Sequence, residues 1–294
     1  MKRDDILDII DRKLLLKKLT TWRLIAVFCL LFLIINLLFS NVIKLPSEPV
    51  IAQINIKGFI DDDDFRSKKL LEIADNKNIH ALIVRIDSQG GSFVGGERLF
   101  NNLRKISENK PTVAILGNIA ASAAYLTAIG TDYIIASQGT ITGSVGVLLQ
   151  TAELTDLASK LGIKPLLIKS NKYKAAPHFA EKITIEQKQY LQNIINESNE
   201  IFYGLVVNRR ANLTEETKKE VKLGKIFIGK TAAQMNLIDE LGDLESAKSW
   251  LKSKNINISK IVEINLEENN NSIKSLLKGF FVPNINNSLK LLAI

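Results

Sequence analysis

The sequence predicts an α/β fold with a largely parallel sheet, and three observations predict it. Val50 to Ile60 alternates and is rich in Ile and Val, the period of a strand. Ile79 to Asp87 is a near-continuous apolar run, as in a parallel strand covered on both faces. Segments of helical spacing lie between such runs.

Ahead of these elements, Leu24 to Phe39 is apolar except for Asn36, and the apolar character continues through Val42 and Ile43. That is about 20 residues, enough to cross a bilayer as a helix. Lys2, Arg3, Arg12, Lys13, Lys17, Lys18 and Arg23 precede the run, against Asp4, Asp5, Asp8 and Asp11. The basic excess predicts a cytoplasmic segment over 1–23, a transmembrane anchor over 24–43 and an extracytoplasmic location for the rest. A cleaved signal peptide is the alternative. The long basic region and the lack of a small-x-small site after the run weigh against it. The short segment 44–49 contains two prolines and reads as a linker.

The folded domain is expected over 50–264. After the strand Val50–Ile60, the acidic run Asp61 to Asp64 leads into a helix over Phe65–Asp75. The strand Ile79–Asp87 is followed by a loop, Ser88-Gln89-Gly90-Gly91-Ser92, and a helix over Val94–Ser107. A strand is expected over Thr112–Gly117, then a small-residue helix from Ala121 to Gly130. Strands follow at Tyr133–Ala136 and Val145–Leu149. A helix is expected over Ala152–Leu161 and a strand over Pro165–Lys169. A polar loop, Ser170 to Lys182, leads to a long helix over Ile185–Ala211. Thr214 is the N-cap of a short helix, without a capping box because Thr217 stands where Glu or Gln would. The tail, 265–294, is Asn- and Ser-rich and is expected to be loosely held.

Composition narrows the function. The formal charge is +8, but the lysines are scattered among Glu and Asp, and only 6% of residues are aromatic. A stacking surface for nucleic acid is not expected. Cys29 is the one cysteine, and His80 and His178 are the two histidines. A His/Cys metal centre is not expected, and no cofactor is called for.

Three small-residue turns fall at strand ends, at Asp87–Ser92, Asn118–Ala124 and Thr142–Gly146, where open α/β sheets place their sites. Gly90-Gly91 lets a backbone N–H approach a ligand. Ser122 stands between alanines at a helix start, beside free N–H donors suited to an oxyanion. From spacing alone, an N-cap or a packed small residue is the better explanation of Ser122. No GxSxG elbow is present. His178 lies in the polar loop with no marked Asp partner, and His80 opens a strand. A buried lysine that loses its proton is the other possible base. The S-x-x-K matches at Ser107–Lys110, Ser249–Lys252 and Ser275–Lys278 read as chance.

From Ile51 to Leu251 the chain resembles the signal peptide peptidase A family of bacterial serine proteases. The resemblance is carried in order by IDSQGGSF, AILGNIAASAAY, TITGSVGV, LGIKPLLIKSNKYK and GKIFIGKTAAQMNLIDELG. It implies the fold of the Clp protease subunit and of crotonase, built of repeated ββα units. It implies Ser122 as nucleophile, Lys174 as general base, Ser144 as a hydroxyl that orients the lysine, and Gly91 and Ala123 as oxyanion N–H donors. Lys172 and Lys169 are the neighbours that a slipped alignment would select. It further implies signal peptides as substrates, a bacterial inner-membrane location and a homo-oligomeric ring in which one subunit's serine meets its neighbour's lysine. The chain departs from the family in two places. Ala123-Ala124 replaces a glycine pair, so methyl groups are candidates to narrow the substrate groove, and Gln89 replaces a proline. A catalytically silent membrane scaffold, a related membrane protease with other substrates and a thioester-handling crotonase-like enzyme are the rival readings.

Overall fold

The computed structural model describes residues 3–39, 48–267 and 292–293. The chain divides into two units, 1–45 with 269–284 and 46–268 with 285–294. Within the first, helix α1 spans Arg3–Phe39. Side chains are described for its residues 15–34, and all of them are exposed. No helix among the described residues is long and apolar enough to cross a membrane. The expected anchor ends at residue 43, and its last part, like most of the linker, lies outside the described residues.

The second unit follows the expected alternation: β1 (Val50–Ile60), α2 (Asp64–Asp75), β2 (Ile79–Ser92), α3 (Phe93–Ser107), β3 (Thr112–Ala121), α4 (Ala123–Ala128), β4 (Tyr133–Ala136), β5 (Ile141–Gly143), α5 (Thr155–Lys160), α6 (Ile185–Arg209), α7 (Glu215–Lys222), β6 (Ile226–Ile228), α8 (Gly229–Gln234), β7 (Glu240–Leu241), α9 (Leu244–Ser253), β8 (Ile261–Glu263) and β9 (Leu292–Ala293). The sheet runs β6-β5-β3-β2-β1-β8. Its central pairs are parallel, while β5 with β6 and β2 with β9 are antiparallel. β3 pairs β4 along its first half and β5 along its last three residues. This split brings the turn after β3 beside the end of β5.

Residues alternate between sheet faces. On one face Ile51, Ala81, Ile83, Val113, Ile115 and Ile135 pack with Ala247 and Leu251 of α9. On the other, Leu82, Val84 and Ile86 are fully buried where α3 and α4 contact the sheet. Caps fix the helix starts: the Asp63 carboxylate accepts from Arg66 N–H, and Ser92 Oγ accepts from Gly95 N–H. Thr214 caps α7 through Thr217 N–H, as expected. Thr184 and Gln187 form a capping box on α6 that the sequence reading did not mark.

Two expected strands are absent. Residues 145–149 and 165–169 have no strand pairing beyond an isolated bridge, because β5 forms earlier, at Ile141–Gly143, where it pairs with β3 and β6. Leu166 and Ile168 are 83% and 91% exposed, so the apolar content that suggested a strand is not covered within the described chain. The expected loop at 88–92 is paired strand, extending β2 to Ser92.

Candidate active site

Ser122 occupies the single residue between β3 and α4, with φ 57° and ψ −121°. That backbone region is rare for a residue with a Cβ and marks stored strain. Its N–H donates to Gly143 O at 2.8 Å, and its carbonyl accepts from Leu126 N–H at 2.9 Å. The turn is thereby pinned to the end of β5 and to the first turn of α4. Ser122 stands at the N-cap position but makes no side-chain cap, so the N-cap explanation fails. Its Oγ is buried without a hydrogen-bond partner. A buried unpaired hydroxyl costs about 1–3 kcal/mol, and such groups are few in folded chains. A packed structural serine would have found a backbone acceptor, as Thr127 does with the carbonyl of Ala123 at 2.8 Å.

Gly90 has φ 121°, which suits glycine alone. A Cβ on Gly91 would lie 1.9 Å from Ile60 O; β1 therefore runs too close for any side chain there. Ala123 and Ala124 are fully buried. A Cβ built on Gly96 would stand 2.9 Å from the Ala123 Cβ, which places the Ala123 methyl against α3. Gly96 makes room for it, and the methyl is not on an open groove.

Ser144 is half-buried beside the same turn. It follows Gly143, the acceptor of Ser122 N–H, has φ 53°, and donates its own N–H to Lys225 O at 2.9 Å. The structure thus gathers Ser122, Ala123 and Ser144 at the junction of β3, β5 and α4. Beyond Ser88↔Ala120, where β3 stops pairing with β2, β9 takes its place. Gly91 pairs with Ala293 and Ser92 with Leu292, antiparallel.

Lys174 is not in this cluster. It lies on the exposed excursion between β5 and α6. Its N–H donates to Asn171 Oδ1 at 3.0 Å, and its amine has no hydrogen bond or ion pair among the described residues. The neighbouring lysines are committed: Lys169 pairs with Glu181, and Lys172 pairs with Glu186 at 2.8 Å. The Glu186 hydrogen bond raises the pKa of Lys172 above its ordinary value, the wrong direction for a general base at neutral pH. Ser122 Oγ has no hydrogen-bond partner, so no lysine or histidine among the described residues is bonded to it. His178 is used locally, its Nδ1 accepting from Ala180 N–H at 3.2 Å, and His80 is exposed. Lys110, from one of the S-x-x-K matches, donates to Ile73 O and Asn76 O at 2.5 and 2.6 Å, closing the carboxyl end of α2.

A cleft of about 1190 Å³ lies on the polar part of the sheet, lined by Lys57, Arg85, Asp87, Asn118, Glu245 and Glu263 among others. Ser122 does not line it. Among the described residues, no group of three or more His, Cys, Asp or Glu side chains could hold a metal ion.

A strained, buried serine without a side-chain partner thus stands at a strand-to-helix turn of an α/β sheet. The chain belongs to peptidase family S49: the family's profile matches residues 104–258, a span that holds Ser122, Ser144 and Lys174 but not the glycine pair. A Synechocystis sp. protein named as a protease is 37% identical over 208 residues, covering 70% of this chain and 75% of that protein. An Enterococcus faecium protein named as the signal peptide peptidase SppA is 26% identical, covering 73% of this chain and 64% of its own length. Protease 4 of Haemophilus influenzae is 28% identical over 67% of this chain, which spans only 33% of that longer protein. Among solved structures, a mutant of the 1510-N membrane-bound stomatin-specific protease aligns with a TM-score of 0.46 at 15% identity, covering 74% of this chain and 99% of that chain.

Proposed function

We propose that this chain is a membrane-anchored serine endopeptidase in which Ser122 is the nucleophile and Lys174 of a neighbouring copy is the general base. The observation that carries the reading is a buried Ser122 hydroxyl with no hydrogen-bond partner among the described residues, while Lys174 stands on an exposed excursion with no carboxylate partner among them. A site divided between two copies supplies each with the other. The uncovered apolar side chains around the lysine, Leu166, Ile168, Phe179 and Ile185, are the kind of surface that a second subunit buries.

In the mechanism, neutral Lys174 takes the Ser122 proton as Oγ attacks a peptide carbonyl. The N–H groups of Gly91 and Ala123 hold the oxyanion. Lys174 then gives its proton to the departing amine, and water repeats the sequence to release the acyl group. The Ser144 hydroxyl orients the amine. An extended peptide pairs with the edge of β2 at Gly91–Ser92 in place of Leu292–Ala293, which occupy it here. Signal peptides left in the membrane are the substrates. The exposed apolar stretch of α1 from Leu24 to Ile34 supports anchoring in a bilayer, with the protease domain on the extracytoplasmic side of the bacterial inner membrane. Peptide turnover by the wild-type chain, lost in Ser122→Ala and in Lys174→Ala and regained when the two variants are mixed, tests the reading.

A further inference from the structure

We propose that Ser88 is a positioning residue for the oxyanion hole, acting through the Gly90–Gly91 peptide. The proposal rests on the role given above to Gly91.

β2 loses step with both neighbouring strands at one place. Against β1, Lys57 pairs with Asp87 but Phe59 pairs with Gly90. Gly58 therefore stands opposite two residues, Ser88 and Gln89. Against β3, Ile86 pairs with Leu116 but Ser88 pairs with Ala120, so residues 117–119 bulge beside Asp87. A bulge leaves ladder donors and acceptors unpaired, and buried ones are costly.

The two adjacent side chains at this point take up the orphaned groups. The Asp87 carboxylate accepts from Ile119 N–H at 3.2 Å and from Asn118 Nδ2 at 3.1 Å, steadying the segment that leads to Ser122. Ser88, fully buried, donates its hydroxyl to Gly58 O at 2.5 Å and accepts from Gly90 N–H at 3.1 Å. Gly58 has φ 66° and open space where a Cβ would be, so glycine is required there by the bulge and not by crowding.

The same hydroxyl proton, given chiefly to Gly58 O, also reaches Gly90 O at 3.3 Å as the weaker arm of a shared bond, and Gly90 O is the carbonyl of the peptide whose N–H belongs to Gly91. In a planar trans peptide the C=O and N–H point in opposite directions. Holding Gly90 O near Ser88 therefore aims Gly91 N–H away from it. Gly90, at φ 121°, has no side chain to resist rotation, so the orientation of the donor is set by the pairing of Gly90 and Gly91 with Phe59 and Ile60 together with this hydroxyl. Without it the register change beside Gly90 loses its side-chain anchor, and the Gly91 donor is less firmly aimed.

Removing one oxyanion donor costs about 10²–10³-fold in kcat. In the full chain, Ser88→Ala is expected to lower kcat for peptide hydrolysis by ~10–100-fold, with KM within ~3-fold, because a misaimed donor fails chiefly in the transition state. Ser88→Cys, with a weak S–H donor, is expected to fall between. Rates are taken per folded chain, with the folded fraction read from circular dichroism. A kcat for Ser88→Ala within ~3-fold of wild type overturns the proposal. So does a loss equal in Cys and Ala that vanishes once the folded fraction is counted, since that is a structural role. Wild-type chain without turnover sinks the peptidase reading as well, whereas an active wild type with an indifferent Ser88→Ala sinks this proposal alone.

Discussion

Replacing Gly96 by alanine tests whether α3 sets the position of the Ala123 N–H. The new Cβ would lie 2.9 Å from Ala123 Cβ, 3.1 Å from its Cα and 3.2 Å from its carbonyl oxygen. Ordinary carbon–carbon contact is about 3.5–4.0 Å, so α3 and the start of α4 must separate by several tenths of an ångström. Such overpacking costs roughly 1–3 kcal/mol, and the better helix propensity of alanine returns about 1 kcal/mol. The expected net loss is therefore ~0–2 kcal/mol, and stability alone is a weak readout. Two further readouts decide it. The displaced N–H should lower kcat by ~10-fold, since misplacements near 1 Å cost up to about 10²-fold. Adding Ala123→Gly removes the shortest contact while keeping the N–H, so the double variant should recover much of both losses. Urea unfolding and peptide turnover on the four chains give the coupling, expected at ~1–2 kcal/mol. Additivity within ~0.5 kcal/mol together with an unchanged kcat in Gly96→Ala refutes the reasoning.

Ser122→Gly and Ser122→Ala should both be inactive, but glycine relieves the strain of φ 57° and should melt higher than alanine, by about 1 kcal/mol of stability; a lower melting temperature for glycine contradicts the strain. Lys110→Met should destabilise the chain by ~2–4 kcal/mol, because the carbonyls of Ile73 and Asn76 lose the amine that both accept from. Burial lowers the pKa of Lys110 from its ordinary 10.5, so between the lowered and ordinary values the folded chain binds fewer protons than the unfolded one. The Lys110 contribution then rises with pH across that window. Unfolding curves at stepped alkaline pH should show this rise in wild type and not in Lys110→Met.

The sheet was legible because its strands carry their own burial pattern. β1 spans Val50–Ile60, the segment that alternation marks, and the apolar run from Ile79 is β2. The two glycines and Ser122 stood out as small residues at strand ends, but their geometry did not. The positive φ of Ser122 and its unpaired hydroxyl depend on β5 arriving beside β3, a pairing the sequence reading had shifted to 145–149. The extension of β2 through Ser92 was also hidden, because its register changes against both β1 and β3 near Asp87, and the groups that stabilise the changes are the side chains of Asp87 and Ser88. The excursion from 145 to 184 misled for a different reason. Hydrophobic residues there suggested a covered strand, yet Leu166 and Ile168 are exposed; periodicity reports that a side chain is to be buried, not by which chain. That Lys169 pairs with Glu181 and Lys172 with Glu186 is likewise not shown by sequence spacing.

The claim that the dyad belongs to two copies is tested most directly by mixing. Ser122→Ala and Lys174→Ala chains, unfolded together and reassembled in equal amounts, should regain turnover to roughly a quarter of wild type, the share of head-to-tail contacts that pair an intact serine with an intact lysine. Each variant alone should stay silent. Mixtures that remain silent while wild-type chain treated in the same way recovers its activity would contradict the account.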